Sequence, residues 1–203
     1  KGAVSSRCPG RGRTQKLHTL HAPATQPAWH DAFRAKTARK IAGVADAGLG
    51  LPGIDARDLA RSIAETCPCI KKTRQTFLHD DYHPGNLIIN NGELSGIVDF
   101  NRFDWGDPVH DFVKLAYFTR AQSIPFSAGQ IHGYFGGEPP GRFWKRYALY
   151  CAATVFSDTL WSYQYEEAGG SAGEIERSER RVRMVVADYE GFIRDVPEWY
   201  QDY

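Results

Sequence analysis

Cysteine and methionine are scarce in this chain, four and one in 203 residues. Cys8, Cys67, Cys69 and Cys151 do not have metal-site spacing. Cys67-Pro68-Cys69 is neither C-x-x-C nor matched by a second ligand pair, which argues against a zinc module. Reduced thiols in a cytosol are the simpler reading. Long apolar runs are also missing: none approaches the roughly 18 residues expected of a membrane span. The N-terminal end is basic but lacks the apolar segment of a secretory signal. No membrane association and a cytoplasmic location are therefore expected, and no internal repeat is apparent.

What is present is ordinary for a soluble globular protein: 42% hydrophobic and 24% charged residues, with enough length for one sizeable core. The net charge of +1 hides an uneven distribution. Residues 1–40 carry nine Lys/Arg against the single acid Asp31, net +8; the remainder carries 16 basic and 23 acidic residues, net −7. The basic end has no aromatic interleaving and no recognisable nucleic-acid module, so no nucleic-acid partner is expected. The acidic body would attract a cationic small molecule. A solvated acidic surface is the alternative.

The informative stretch runs from Phe77 to Asp111, FLHDDYHPGNLIINNGELSGIVDFNRFDWGDPVHD. It holds His79-x-Asp81-x-x-x-x-Asn86, a short hairpin, and then Asp99. A carboxylate that accepts the proton of an attacking hydroxyl, with an amide oxygen and a second carboxylate holding Mg²⁺ against nucleotide phosphates, is the equipment of kinase-type phosphoryl transfer. Asp81 is the candidate base; Asn86 and Asp99 are the candidate metal and nucleotide ligands. Strands are expected at Leu87–Asn90 and Ser95–Asp99. Asn91-Gly92 between them is a strong two-residue hairpin signal. With that turn, paired residue numbers sum to 183, so Asn86 faces Ile97 with Asp99 one diagonal step beyond. Side-chain alternation then puts Asn86 and Asp99 on one face.

HDDYHPGN, followed by IVDF and WGDPVHD, resembles the aminoglycoside phosphotransferase and choline kinase-like family, whose members share the protein-kinase-like fold. The family pattern is roughly H-G-D-x-H-P-G-N, then I-D-F/W, then G-D-P-x-x-D. Three ordered motifs over residues 79–111 make this a specific match. GRTQKLHTLHAP resembles the family's early helix ending in Leu-His. Ser123-Ile-Pro-Phe-Ser127 to Gly133-Tyr-Phe135 also resembles bacterial members. The resemblance implies Asp81 as catalytic base, His79 as a support of its loop, Asn86 and Asp99 as magnesium ligands, and ATP or GTP as co-substrate. It also suggests that Asp107 and Asp111 brace the loop, capping being the alternative for Asp107. One departure is Asp80, where the family usually has Gly. An extra carboxylate there is expected to raise the pKa of Asp81 or repel phosphate.

The implied fold class is α+β: a protein-kinase-like C-terminal lobe, mostly helical, with a small β-hairpin carrying the catalytic and metal residues. Residues 1–27 read as a basic, partly disordered leader with a short helix over Thr14 to His21, and 28–203 as the lobe. Within the lobe, 77–100 form the catalytic loop and hairpin and 107–195 the substrate-side helices. Helices are expected over Trp29 to Asp46 and Asp55 to Glu65, the latter with Asp55 as N-cap. Gly48-x-Gly50-x-x-Gly53 between them matches a phosphate-loop pattern literally. Such a loop needs a preceding strand, and Pro52 removes a donor, so it reads as a helix terminator and turn. Thr76's neighbourhood, Gln75 to Leu78, reads as a strand and Asn101 to Asp107 as a loop. Asp107-Pro108 opens a helix to about Arg120. Phe143 to Glu167 and Gly173 to Ile193 are the last two helices. In the resembling family, substrate specificity resides in these C-terminal helices. Asp158, Trp161 and Glu166 there would suit a cationic amino-sugar or amino-alcohol, with core aromatics and a charged helix end as the alternative.

A Gly-rich strand-turn-strand and a strand lysine, the nucleotide lobe of such kinases, are not recognisable in residues 1–74. Two readings follow. One is the catalytic lobe of a small-molecule kinase lacking its N-lobe; the other is a non-catalytic kinase-like binding protein. Substrate and oligomeric state are not specified by the sequence.

Overall fold

The computed structural model describes residues 13–23 and 25–203. The first part of the expected leader, 1–12, lies outside the described residues. The fold is mostly helical with two small antiparallel sheets. Its helices are α1 (Arg13–Leu17), α2 (Trp29–Asp46), α3 (Ala56–Thr66), α4 (Ile124–Phe135), α5 (Gly141–Glu167), α6 (Glu174–Asp188) and α7 (Glu198–Gln201). The strands are β1 (Thr76–Leu78), β2 (Leu87–Asn90), β3 (Glu93–Ile97) and β4 (Asp104–Gly106).

Helix α5 is the axis of the core. Phe143, Tyr147, Tyr150, Cys151, Val155 and Phe156 are buried along it, and α2, α3 and α6 pack around it. An apolar stripe this broad cannot be covered by one neighbour, which is why the helix is enclosed rather than lying on a surface. Helix α2 forms where its apolar spacing predicts, and α3 where both spacing and the Asp55 cap predict. Asp55 accepts hydrogen bonds from the Arg57 and Asp58 amides, and Leu59 and Ile63 enter the core. Burying each is worth about 1.5–3 kcal/mol. The glycine run between them is the turn. Gly48 (φ +65°) donates to Ala45 O and Leu49 to Val44 O, the paired bonds that close a helix C-terminus.

Part of the leader is tied to the fold. His21 bridges Thr76, the Phe77 amide donates to Leu20 O, and His18 is buried. Strand β1 pairs with β4 in the register Thr76↔Gly106, Phe77↔Trp105, Leu78↔Asp104, so the expected loop over 101–107 contains a strand. The β2–β3 hairpin turns at Asn91-Gly92, both at positive φ, as the sequence requires. Its register departs from the expectation. Asn90↔Glu93 and Ile89↔Leu94 sum to 183, but Ile88↔Gly96 and Leu87↔Ile97 sum to 184, because a bulge at Ser95 inserts one residue. Asn86, in the short 3₁₀ turn Pro84–Asn86, is therefore opposite Val98, whose amide donates to Asn86 O at 3.0 Å.

The helix after Asp107 is irregular: a 3₁₀ turn at Pro108–Phe112, then a π-turn at Leu115–Thr119. Asp107 caps it as predicted, accepting from the Val109 amide. Helix α4, capped by Ser123, was not foreseen. Helix α6 stops at Asp188, short of the expected Ile193; Asp188 there pairs with Arg120.

Candidate active site

The loop after β1 is fixed by one buried carboxylate. Asp111 accepts from the His79 amide at 3.0 Å, the Asp80 amide at 2.7 Å and His18 Nε2 at 3.0 Å. Three donors satisfy a side chain that is almost wholly out of water, the condition for burying an ionised group. Asp111 thus braces the loop. Asp107 instead braces the helices: it accepts two bonds from Arg146 and one from Tyr150. His79 is fully buried and joins two segments. Its Nδ1 accepts from the Asp81 amide at 3.3 Å while Nε2 lies 2.9 Å from Val98 O, which fixes a neutral Nε2–H tautomer. His79 therefore positions Asp81 and the residue beside Asp99; it faces no open space itself.

Asp80 adopts φ +59°, a left-handed conformation that suits Gly and tolerates Asp. Its carboxylate lies 2.9 Å from His110 Nδ1. Burial raises the Asp80 pKa, but His110 outweighs it and holds the group below its ordinary value; His110 is raised in turn, despite its own burial, by Asp80. The expectation that Asp80 raises Asp81 is overturned. Burial pushes Asp81 up, yet Lys114 Nζ, 2.9 Å from Asp81 Oδ1, outweighs it and the net shift is down. Asp81 is ionised at neutral pH and able to accept a proton. Its other oxygen, Oδ2, is held only loosely, 3.4 Å from Asn86 Nδ2 and 3.8 Å from His83 Nε2.

Lys114 was not anticipated. Its signal was available: it stands one turn beyond Asp111 on the segment that braces the loop.

Asn86 is buried and curls back, donating from Nδ2 to Asp81 O at 2.9 Å. That bond explains the five-residue spacing and leaves Oδ1 as the free acceptor. Asp99 is exposed and follows Val98, the residue paired to Asn86. The bulge cancels the parity argument that put Asn86 and Asp99 on one face. Asp99 itself sits at φ +66°, where strand alternation no longer sets side-chain direction. Both side chains carry hard oxygen donors, the type Mg²⁺ takes, an ion that needs few protein groups because it keeps waters and phosphate oxygens.

Asp81 also lines a cavity of about 670 Å³ between the loop, α2, α5 and α6, within the usual range for small-molecule sites. Of the three substrate-side candidates, Asp158 and Trp161 reach this cavity. Asp158 is already committed to Arg181 at 3.1 Å and Ser178 at 2.8 Å. Glu166 is not on the cavity wall; it accepts from the Ile175 amide and caps the start of α6.

Among the described residues no helix is long and apolar enough to cross a membrane, and Cys67, Cys69 and Cys151 are free thiols. A family model described as "APH: Phosphotransferase enzyme family" matches residues 14–144. No curated protein sequence matches. Among solved structures, the gentamicin–APH(2")-IIa complex is 14% identical with TM-score 0.56, covering 91% of this chain and 66% of that one. The streptomycin–ATP–APH(2")-IIa ternary complex is 17% identical with TM-score 0.51, covering 90% and 64%. A thermostable mutant of APH(4)-Ia in its apo form is 15% identical with TM-score 0.50, covering 78% and 53%. These likenesses show a kinase-like fold. The chain spans under two thirds of the length of these three neighbours.

Proposed function

The chain belongs to the APH phosphotransferase enzyme family, and on that premise we propose that it carries the catalytic lobe of an ATP- or GTP-dependent, Mg²⁺-dependent kinase of small hydroxyl compounds. One observation carries the reading. The Asp81 carboxylate stands on the wall of a ligand-sized cavity while its own main chain holds Asn86, so acceptor side and metal side meet at one residue.

In this reading the acceptor hydroxyl sits in the cavity against Asp81 Oδ2. Its oxygen forms the new bond to the γ-phosphorus, the bond from that phosphorus to the β–γ bridging oxygen breaks, the proton passes to Asp81, and the nucleoside diphosphate leaves. His79 and Asp111 keep Asp81 in place through the transfer. Asn86 Oδ1 and the Asp99 carboxylate would hold Mg²⁺, which when bound neutralises charge on the phosphates. Kinship puts amino-sugars and amino-alcohols on the list of acceptors to test, since gentamicin and streptomycin are bound by the neighbours named above.

A non-catalytic binding protein is the second reading. The Lys114 ion pair favours it, because a depressed pKa makes Asp81 a weaker base. One substitution decides. In a preparation that phosphorylates a hydroxyl acceptor, Asp81→Asn lowers kcat by about 10²–10⁴, the contribution of a positioned base, with the melting temperature little changed. Unchanged turnover sinks the catalytic assignment.

A further inference from the structure

The charges on the cavity wall can be paired off, and the remainder has one sign. Asp80 lies against His110 and Asp81 against Lys114, each at 2.9 Å. Asp104 pairs with Lys36. Asp158 pairs with Arg181 at 3.1 Å, and Glu174 with both Arg177 and Arg181, each at 2.8 Å. Every carboxylate lining the cavity thus has a cation. Arg39, Lys40 and Arg102 also line it, and among the described residues none of the three makes an ion pair or side-chain hydrogen bond. Arg39 and Lys40 lie three and four residues beyond Lys36 on α2, so one helix face presents them together.

A wall with unpaired cations and no unpaired carboxylate concentrates anions and repels polycations. Trp161 on the same wall is 39% exposed and offers apolar surface for a sugar or carbon skeleton. We infer that the acceptor is a hydroxyl compound bearing an anionic group, a phosphate or a carboxylate, which Arg39 and Lys40 hold while its hydroxyl meets Asp81. This rests on the phosphotransfer reading for the role of Asp81, but not for the binding itself. The same cations would also suit a nucleotide polyphosphate, so the test must separate the two sources.

Trp29 and Trp161 make binding readable by tryptophan fluorescence without turnover. The probes are glucose 6-phosphate and gluconate as anions, glucose as the neutral parent, gentamicin as the polycation, and Mg·ATP. At least one anionic probe is expected to quench saturably, more tightly than glucose, and less tightly as salt is raised. Arg39→Glu with Lys40→Glu is expected to weaken that probe about 10-fold, two partly exposed charges at somewhat under 1 kcal/mol each, and to leave Mg·ATP affinity and the melting temperature unchanged. Three results overturn the inference: no anionic probe binding better than glucose, gentamicin binding more tightly than the anions, or the double variant weakening Mg·ATP instead. Binding that persists while Asp81→Asn leaves turnover untouched would sink the phosphotransfer reading and spare this one.

Discussion

Asp80 and His110 form a pair that sequence comparison alone misjudges. Asp80 stands where the family usually has Gly, and its positive φ shows why Gly suits the position. Its carboxylate turns to His110 rather than crowding Asp81. The pair carries a pH signature. Asp80 is depressed from 3.8, so its contribution is present above 3.8 and lost as pH falls through the lower folded value. His110 is raised from 6.5, so its contribution is complete below 6.5 and lost as pH rises through the higher folded value. Stability from this pair is therefore greatest between those limits. The melting temperature is expected to decline as pH rises beyond 6.5, and His110→Gln to flatten that decline. An alkaline slope identical in wild type and variant would show that the pair contributes nothing.

At the scale of elements, Gly106 links the strands to the helices. It ends β4, and a Cβ there would stand 2.6–2.8 Å from three carbons of the Trp29 ring. That ring cannot easily yield, because Trp29 Nε1 donates to Tyr150 OH at 2.8 Å and the ring packs edge-on against His110. Gly106→Ala is expected to destabilise by about 1–3 kcal/mol, the usual effect of overpacking, measured by denaturant unfolding; a neutral result would mean α2 shifts freely against β4. This contact was not legible in the sequence, because residues 29 and 106 meet only through the fold. Helices α2, α3 and α5 were legible, since helical spacing is local, as is the Asp55 cap of α3. Strand β4 was not: its three residues pair with β1, a distant segment. Helix α4 was hidden by its Gly and Pro content. The hairpin turn was legible from Asn91-Gly92, but the bulge at Ser95 has no local signal, and one inserted residue reverses a parity argument.

For the whole molecule, summing charge along the chain gave a poor picture of the site. The acidic excess lies after residue 40, yet the cavity wall takes Lys36, Arg39 and Lys40 from the basic end, through α2. Folding brings part of the basic N-terminal end to the site, so an acidic excess after residue 40 does not imply an acidic pocket. The same whole-molecule view bears on turnover. Phosphoryl transfer is mostly positioning and charge stabilisation, and kinases of this fold use a strand lysine and a Gly-rich loop over the phosphates. Among the described residues no strand precedes β1; residues 25–75 contribute α2, α3 and a 3₁₀ turn. Asp81, Asn86 and Asp99 would supply a base and metal ligands, and nothing on the described fold covers a nucleotide from the other side. Lys114 cannot stand in for the lysine while it is bound to Asp81. The 203 residues alone are therefore expected to fold, given the core around α5, and to consume ATP little above background. The measurement is ATP consumption against amino-sugars, amino-alcohols and anionic hydroxyl compounds, by this chain alone and by the chain joined to a nucleotide lobe. Robust acceptor-dependent turnover by the chain alone would mean that α2 and the cavity cations hold the phosphates themselves.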